Sequence, residues 1–390
     1  MDDNDHRIIA KRLDLLHFDD DAPGMVSWHA RGLSLFRALE EAARRQVRSE
    51  GYAEIRTPQM AQRVLWEQSG HWEHFRENMY LFDDGEALKP VSCPAHLRGL
   101  SRKIISYREL PIRLAEMGLV HRREASGALH GLFRLREFTQ DDGHVICRED
   151  QAVAEVARFV ARMPAFYGSF GFAPPKMVLS LRPESRAGDD AVWDRAEGLL
   201  RDALSQAGLP YDAQPGGGAF YGPKIELLLH DRLDRAWQCG TIQLDMVLPE
   251  RFDLAYTASD GARVRPVMLH RAMFGSIERF LGVLLEHHAG VLPGWLAPEQ
   301  VVIASVERAD AARAFADALE HAGMRVRVDD RDETVGRRVR ESRELGVPYV
   351  AVIGARDGEE ISLRGLREEK PRKVGRREAV EEIRAECVVR

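Results

Sequence analysis

The sequence predicts an α+β protein with a second, smaller α/β domain, residues 1–297 and 298–390. Three observations predict this. After the loop GVLPGWLAP, residues 290–298, strand-like and helix-like stretches alternate to the end of the chain, the pattern of a small α/β domain. Before it, residues 121–144 read as two strands joined by a turn-rich loop around Ser126 and Gly127. Further upstream, apolar residues at helical spacing give way to a strand stopped by a proline, so helices and strands are mixed.

The chain has 390 residues, 44% hydrophobic and 30% charged, which suits a soluble globular protein with a large core. No apolar run reaches membrane-spanning length, and MDDNDHRIIAKR lacks the apolar core of a signal peptide. Cys93, Cys147, Cys239 and Cys387 form no CxxC pair, so free thiols and a cytoplasmic location are expected. The formal charge of −6 gives no global basic field, and any RNA contact must use local patches.

In chain order, residues 5–16 predict a short helix leading to a loop at Pro23 and Gly24. Leu33, Phe36, Leu39, Ala43 and Val47 predict a helix over 32–50 that Gly51 ends, and residues 52–58 predict a strand ending at Pro58. SGHW, residues 69–72, precedes a short loop. Amphipathic helices are expected over 151–167 and 189–208, then a glycine-rich turn over 216–224, a strand over 237–245, and a strand entering a helix over 270–280. In the smaller domain, strands fall at 301–305, 325–328, 349–353 and 360–363, and helices at 309–322, 335–345 and 377–386. Its charge is nearly balanced. A basic run from Arg364 to Arg377, including Arg367, Lys370, Arg372, Lys373 and Arg376, could meet phosphates.

Chemistry concentrates in HRREASGALHGLFRLREFTQDDGH, residues 121–144. Arg122 and Arg134 could grip phosphate through paired charge-assisted hydrogen bonds, and Phe138 could stack on a base. An exposed, charge-laced hairpin is the alternative. Cys93, His144 and His270 match no local zinc spacing, so buried core residues are the alternative to ligands there. Arg279 on a helix could equally be a surface ion pair.

Arg122-x-Glu124, the loop, and Arg134-xxx-Phe138 resemble motif 2 of the class II aminoacyl-tRNA synthetases. FTQDDGH, with DHRIIAKRLDLLHF, GGGAFYGPKIE, RAWQCGTIQLD and VMLHRAMFGSIERF, narrows the resemblance to the threonyl-tRNA synthetases, from about Asp5 onward. It implies a class II core, an antiparallel sheet flanked by helices, and a C-terminal anticodon-binding domain in which Arg331, Glu333, Gly336 and Arg340 match a helix-capping region. The implied activity is ATP-dependent formation of threonyl-adenylate and transfer to tRNA(Thr). The 32–58 segment is similar to motif 1, which implies a homodimer.

By the same resemblance, Cys93, His144 and His270 hold one zinc ion per subunit, open to the amine and hydroxyl of threonine. Asp142, Gln140, Tyr221 and Gln243 form the threonine pocket. Arg122 holds the α-phosphate, Arg134 and Arg279 grip the outer phosphates, Phe138 stacks on adenine, Glu124 contacts it, and Mg2+ accompanies ATP. His71 is implicated in transfer, with Arg122 and Arg279 in activation. Ordinary members carry long N-terminal domains before this point, one of which hydrolyses mischarged serine, so no cis editing and some seryl-tRNA formation are expected.

Val91, Ser92, Ala95, Arg123 and Ala125 depart from the family pattern. Ala125 replaces a proline, freeing the loop, and Arg123 adds a positive charge beside the site. These departures keep open a paralogue that activates threonine or a β-hydroxy analogue outside translation, or an inhibitor-resistant second copy. A catalytically silent RNA-binding module is the third reading, opposed by the full set of site residues.

Overall fold

The computed structural model describes residues 3–355 and 357–388. They form two compact units. A terminal unit comprises Met1–Phe18, Val26–Leu39 and Leu284–Arg390, and a central unit comprises Asp19–Met25 and Glu40–Val283.

The first helix, α1 (His6–Arg12), is shorter than expected because Asp14 adopts a left-handed φ of 55°. Leu16–His17 then pairs with Ser27–Trp28. Helix α2 (Ala30–Ser49) follows the predicted periodicity and stops at Gly51, φ 77°. Leu35, Leu39, Ala43 and Val47 are fully buried along it, whereas Leu33 and Phe36 are only partly covered. Gly32 is required where α2 begins, since a Cβ there would lie 1.8 Å from the Leu15 carbonyl oxygen.

The strand expected over 52–58 shrinks to β1 (Ala53–Glu54), because the Thr57 amide and hydroxyl turn instead to the Glu116 carboxylate at 3.0 and 2.8 Å. Helices α3 (Arg63–Ser69) and α4 (His71–His74) follow, broken by Gly70 at φ 81°. His71 therefore opens a helical turn. Helix α5 (Cys93–Leu100) comes next, then strands β2 (Ile112–His121) and β3 (Glu137–Cys147), which pair antiparallel along their length; of the two strands expected within 121–144, the first lies upstream of Arg122, and residues 122–136 form the connection.

The central unit continues through α6 (Glu149–Gly168), β4 (Lys176–Ser180), α7 (Asp190–Ala207) and β5 (Tyr211–Gln214). It ends with β6 (Lys224–His230), β7 (Ala236–Asp245), β8 (Val267–Ala272) and the start of α8 (Ile277–His287). Among the described residues, eight strands form one sheet in the order β5-β4-β6-β7-β8-β3-β2-β1. Pairing is antiparallel from β4 to β2, and only the edge strands β5 and β1 run parallel to their neighbours.

Helices α6 and α7 pack on each other, α6 also against β8 and α7 against β7. Trp193 of α7 is 1% exposed, with its indole N–H on the Ala187 carbonyl at 2.9 Å. Trp193→Ala is expected to cost about 3–5 kcal/mol of stability, read from urea unfolding.

In the terminal unit, strands β9 (Val301–Ser305), β10 (Val326–Asp329), β11 (Tyr349–Ile353), β12 (Glu360–Gly365) and β13 (Arg372–Gly375) form a sheet in the order β10-β9-β11-β12-β13. Helices α9 (Ala309–His321), α10 (Val335–Glu344) and α11 (Arg376–Cys387) accompany it. A core of Val301, Ile303, Phe315, Leu319, Ile361 and Ile383 fills this α/β layer. Strand β13 lies within the basic run and was hidden by its charge. Much of that run is paired: Arg372 with Glu368 and Glu382, Lys373 with Asp357, and Arg377 with Glu381. The cap of α10 is Thr334, whose side chain accepts from the Arg337 amide. Among the described residues no helix is long and apolar enough to cross a membrane.

Candidate active site

Strand alternation builds the site. Along β3, Phe138, Gln140, Asp142 and His144 all line one cavity of about 500 Å³, as side chains two apart on a strand must share a face. Neighbouring strands add Thr241, Gln243 and His270, the β2–β3 connection adds Arg122, Glu124 and Arg134, and α8 adds Arg279. Tyr221 and Cys93 complete the wall. All but one of the residues singled out in the sequence thus converge. The exception is His71. It is buried against Ser69, at 2.9 Å, and against Phe220, ring centroids 5.8 Å apart, and Phe220 in turn packs on Tyr221. Burial and the neighbouring His270 lower its pKa to about 3, so its ring is neutral.

At the deep end, ligand atoms of Cys93, His144 and His270 lie within 4.8 Å of one another, all buried. His144 Nε2 and His270 Nδ1 are 3.0 Å apart. Two nitrogens bound tetrahedrally to zinc would stand about 3.3 Å apart, so the pair needs little adjustment. The far side of each ring is held. His270 Nε2 meets the Asp245 carboxylate at 2.9 Å. His144 Nδ1 meets His96 Nδ1 at 2.8 Å, and His96 Nε2 meets Glu116 at 2.9 Å. Burial raises the Glu116 carboxyl, but hydrogen bonds from His96, Lys89 and the Thr57 amide more than offset it and leave it at about 2. Such carboxylate backing orients histidine ligands toward a metal. Burial, with Asp142 and Asp245 nearby, pushes the Cys93 thiol up, a preference that a divalent cation would reverse.

Asp142 sits beside this group, 3.5 Å from His144 Nε2, and the Tyr221 hydroxyl donates to Gln243 Oε1 at 2.8 Å. At the open end, the guanidinium of Arg122 lies 5.1 Å from the Phe138 ring centroid and 5.6 Å from that of Phe75. Its Nε donates to the Pro90 carbonyl at 3.2 Å, which fixes the fork. Glu124 is paired with Arg134 at 2.9 Å. The Arg279 Nε is buried with no hydrogen-bond partner among the described residues. The cavity therefore offers a carboxylate with a cluster of soft and nitrogen donors at one end, and arginines with an aromatic ring at the other.

Four residues behind the site carried no assignment in the sequence: His96, Glu116, Lys89 and Asp245. Only His96 had a local signal, lying three residues after Cys93 on one helical face. The others act through pairings that only the folded sheet creates.

Residues 80–288 match the family described as the tRNA synthetase class II core domain (G, H, P, S and T), and residues 300–386 match the anticodon binding domain family. The chain belongs to the class II tRNA synthetases. Within that class it sits with the threonyl-tRNA synthetases. It is 50% identical over 378 residues to the threonine–tRNA ligase of Hyphomonas neptunium and 49% identical over 367 residues to that of Paraburkholderia phymatum, covering 92% of this chain in each case. The chain spans 58% of the length of each of these relatives. A solved structure described as the RNA-binding domain of threonyl-tRNA synthetase from Cryptosporidium parvum matches 99% of both chains with a TM-score of 0.94 and 37% identity.

Proposed function

We propose that the chain activates L-threonine with ATP and transfers it to tRNA(Thr). The observation that carries this reading is the single cavity joining Asp142 and the Cys93/His144/His270 cluster to Arg122, Arg134, Phe138 and Arg279. Cys93, His144 and His270 would hold zinc, which when bound supplies a Lewis-acid position open to an amino acid's amine and hydroxyl. Asp142 accepts the hydroxyl's hydrogen bond, and Tyr221, Gln140 and Gln243 bound the pocket. Arg122 grips the α-phosphate as the threonine carboxylate attacks it and the bond to the β-phosphate breaks, releasing pyrophosphate, and stabilises the charge that develops there. Arg279 and Arg134 hold the outer phosphates of Mg2+-ATP, Arg134 leaving Glu124 as Glu124 turns to the adenine. Phe138 supplies the stacking surface. His71, neutral and one aromatic layer away, serves the transfer step.

Residues 1–297 form the catalytic domain of this reading and 298–390 the anticodon-binding domain. Motif 1 helix α2 pairs two copies, and the buried free thiols fit a cytoplasmic protein.

Amino-acid-dependent ATP–pyrophosphate exchange, run beside tRNA charging, tests the reading. Threonine is expected to support exchange. Valine is expected to be rejected by about 10⁴-fold, since it cannot give the partly buried Asp142 carboxylate the hydroxyl hydrogen bond. Serine lacks only a methyl group, so rejection of about 10–200-fold is expected. No exchange with any of the three would overturn the proposal.

A further inference from the structure

On β3, the residues between those that line the cavity point the other way. Asp141, 1% exposed, uses both carboxylate oxygens on the turn between β8 and α8. It accepts from the Met273 amide at 2.6 Å and from the Phe274 and Gly275 amides at 3.0 Å each. That turn is tightly confined, because Gly275 has φ 76° and a Cβ there would lie 2.7 Å from the Cys239 carbonyl oxygen. Two residues earlier, Thr139 is tied to the first turn of α8, its amide donating to both oxygens of Glu278 at 2.9 and 3.0 Å.

Arg271 lies behind Asp141 and is 2% exposed, with NH1 3.8 Å from the carboxylate and the guanidinium 4.4 Å from the Tyr52 ring centroid. Its cross-strand partner is Gly143, and a Cβ at 143 would stand 2.5 Å from Arg271 Nε. A glycine at this position therefore makes room for the buried cation. An arginine taken so far out of water is costly unless a charge compensates it, and Asp141 and Glu50 are the carboxylates that do so.

We propose that Asp141, backed by Arg271, is a positioning residue that sets the 273–275 turn and so aims Arg279 at the ATP end of the cavity. The amino-acid end is carried by Gln140 and Asp142 on the opposite face of the same strand. Loss of the clamp therefore weakens the ATP end selectively. The role rests on the ATP reading of this cavity, and it is tested by binding, which needs no turnover.

Titration calorimetry of ATP with magnesium, and separately of threonine, is run on the unmodified chain, Asp141→Asn and Arg271→Lys. Asp141→Asn places an amide N–H against the backbone amides. ATP binding is expected to weaken 10–100-fold, with threonine affinity held within about twofold. Arg271→Lys, which keeps the charge, is expected to fall between the two. Where Asp141→Asn fails to fold, Arg271→Lys alone decides. Equal losses for both ligands, or unchanged ATP affinity in a folded variant, would overturn the proposal. An unmodified chain that binds no ATP overturns both this and the ATP reading. ATP binding without pyrophosphate exchange overturns only the activity.

Discussion

Cys93→Ala is expected to leave the purified chain without stoichiometric zinc and to lower threonine-dependent pyrophosphate exchange by at least 10³-fold. The thiol is one of three donor groups within 4.8 Å of one another, and the remaining pair, His144 and His270, cannot fill a three-ligand set. A buried thiol also contributes the only negative ligand, so its loss removes charge neutralisation as well as a bond. His96→Ala makes a graded companion. It keeps all three donors but cuts the link from His144 through His96 to Glu116, and loss of such backing typically costs 10–100-fold in metal affinity. Metal content by emission spectroscopy reads both variants. Full occupancy in Cys93→Ala would remove the cysteine from the site.

Arg122→Ala is expected to lower the rate of exchange by about 10²–10³-fold, the usual cost of deleting one group aimed at developing charge. Three contacts make this arginine a prepared one. The Pro90 carbonyl takes its Nε, leaving the terminal nitrogens for a phosphate, and the Phe138 and Phe75 rings flank it. Arg122→Lys is expected to recover little, since an ammonium lacks the planar fork. Zinc content and threonine binding are expected to stay at wild-type levels. A variant with unchanged exchange would show that the α-phosphate is held elsewhere.

Much of this was legible before any coordinates. Periodicity located α2, α6 and α7, and the strand–helix alternation gave the terminal α/β sheet, because local patterning and burial agree there. The pocket residues of β3, Gln140, Asp142 and His144, were named by the resemblance, and alternation along the strand is what puts them on one face. What stayed hidden was set by contacts across the sheet. Glu116 and Asp245 look like ordinary strand carboxylates until the fold brings His96 and His270 to them. The 52–58 strand failed because a side chain, Glu116, outcompeted the ladder for the Thr57 amide. Strand β13 was lost inside a basic run, where Arg372 and Lys373 are paired with Glu382 and Asp357.

The terminal unit draws on both ends of the chain, and this bears on how the molecule is made. His6 of α1 hydrogen-bonds Glu286 at 2.7 Å, and Arg31 at the start of α2 is paired with Glu299. At about 5–20 residues per second, a ribosome takes on the order of tens of seconds to travel from the first of these partners to the second. The central sheet's strands all emerge in that interval, β8, which joins β3 to β7, last. Helix α1 and the start of α2 cannot make these contacts until residues 286–299 have been synthesised.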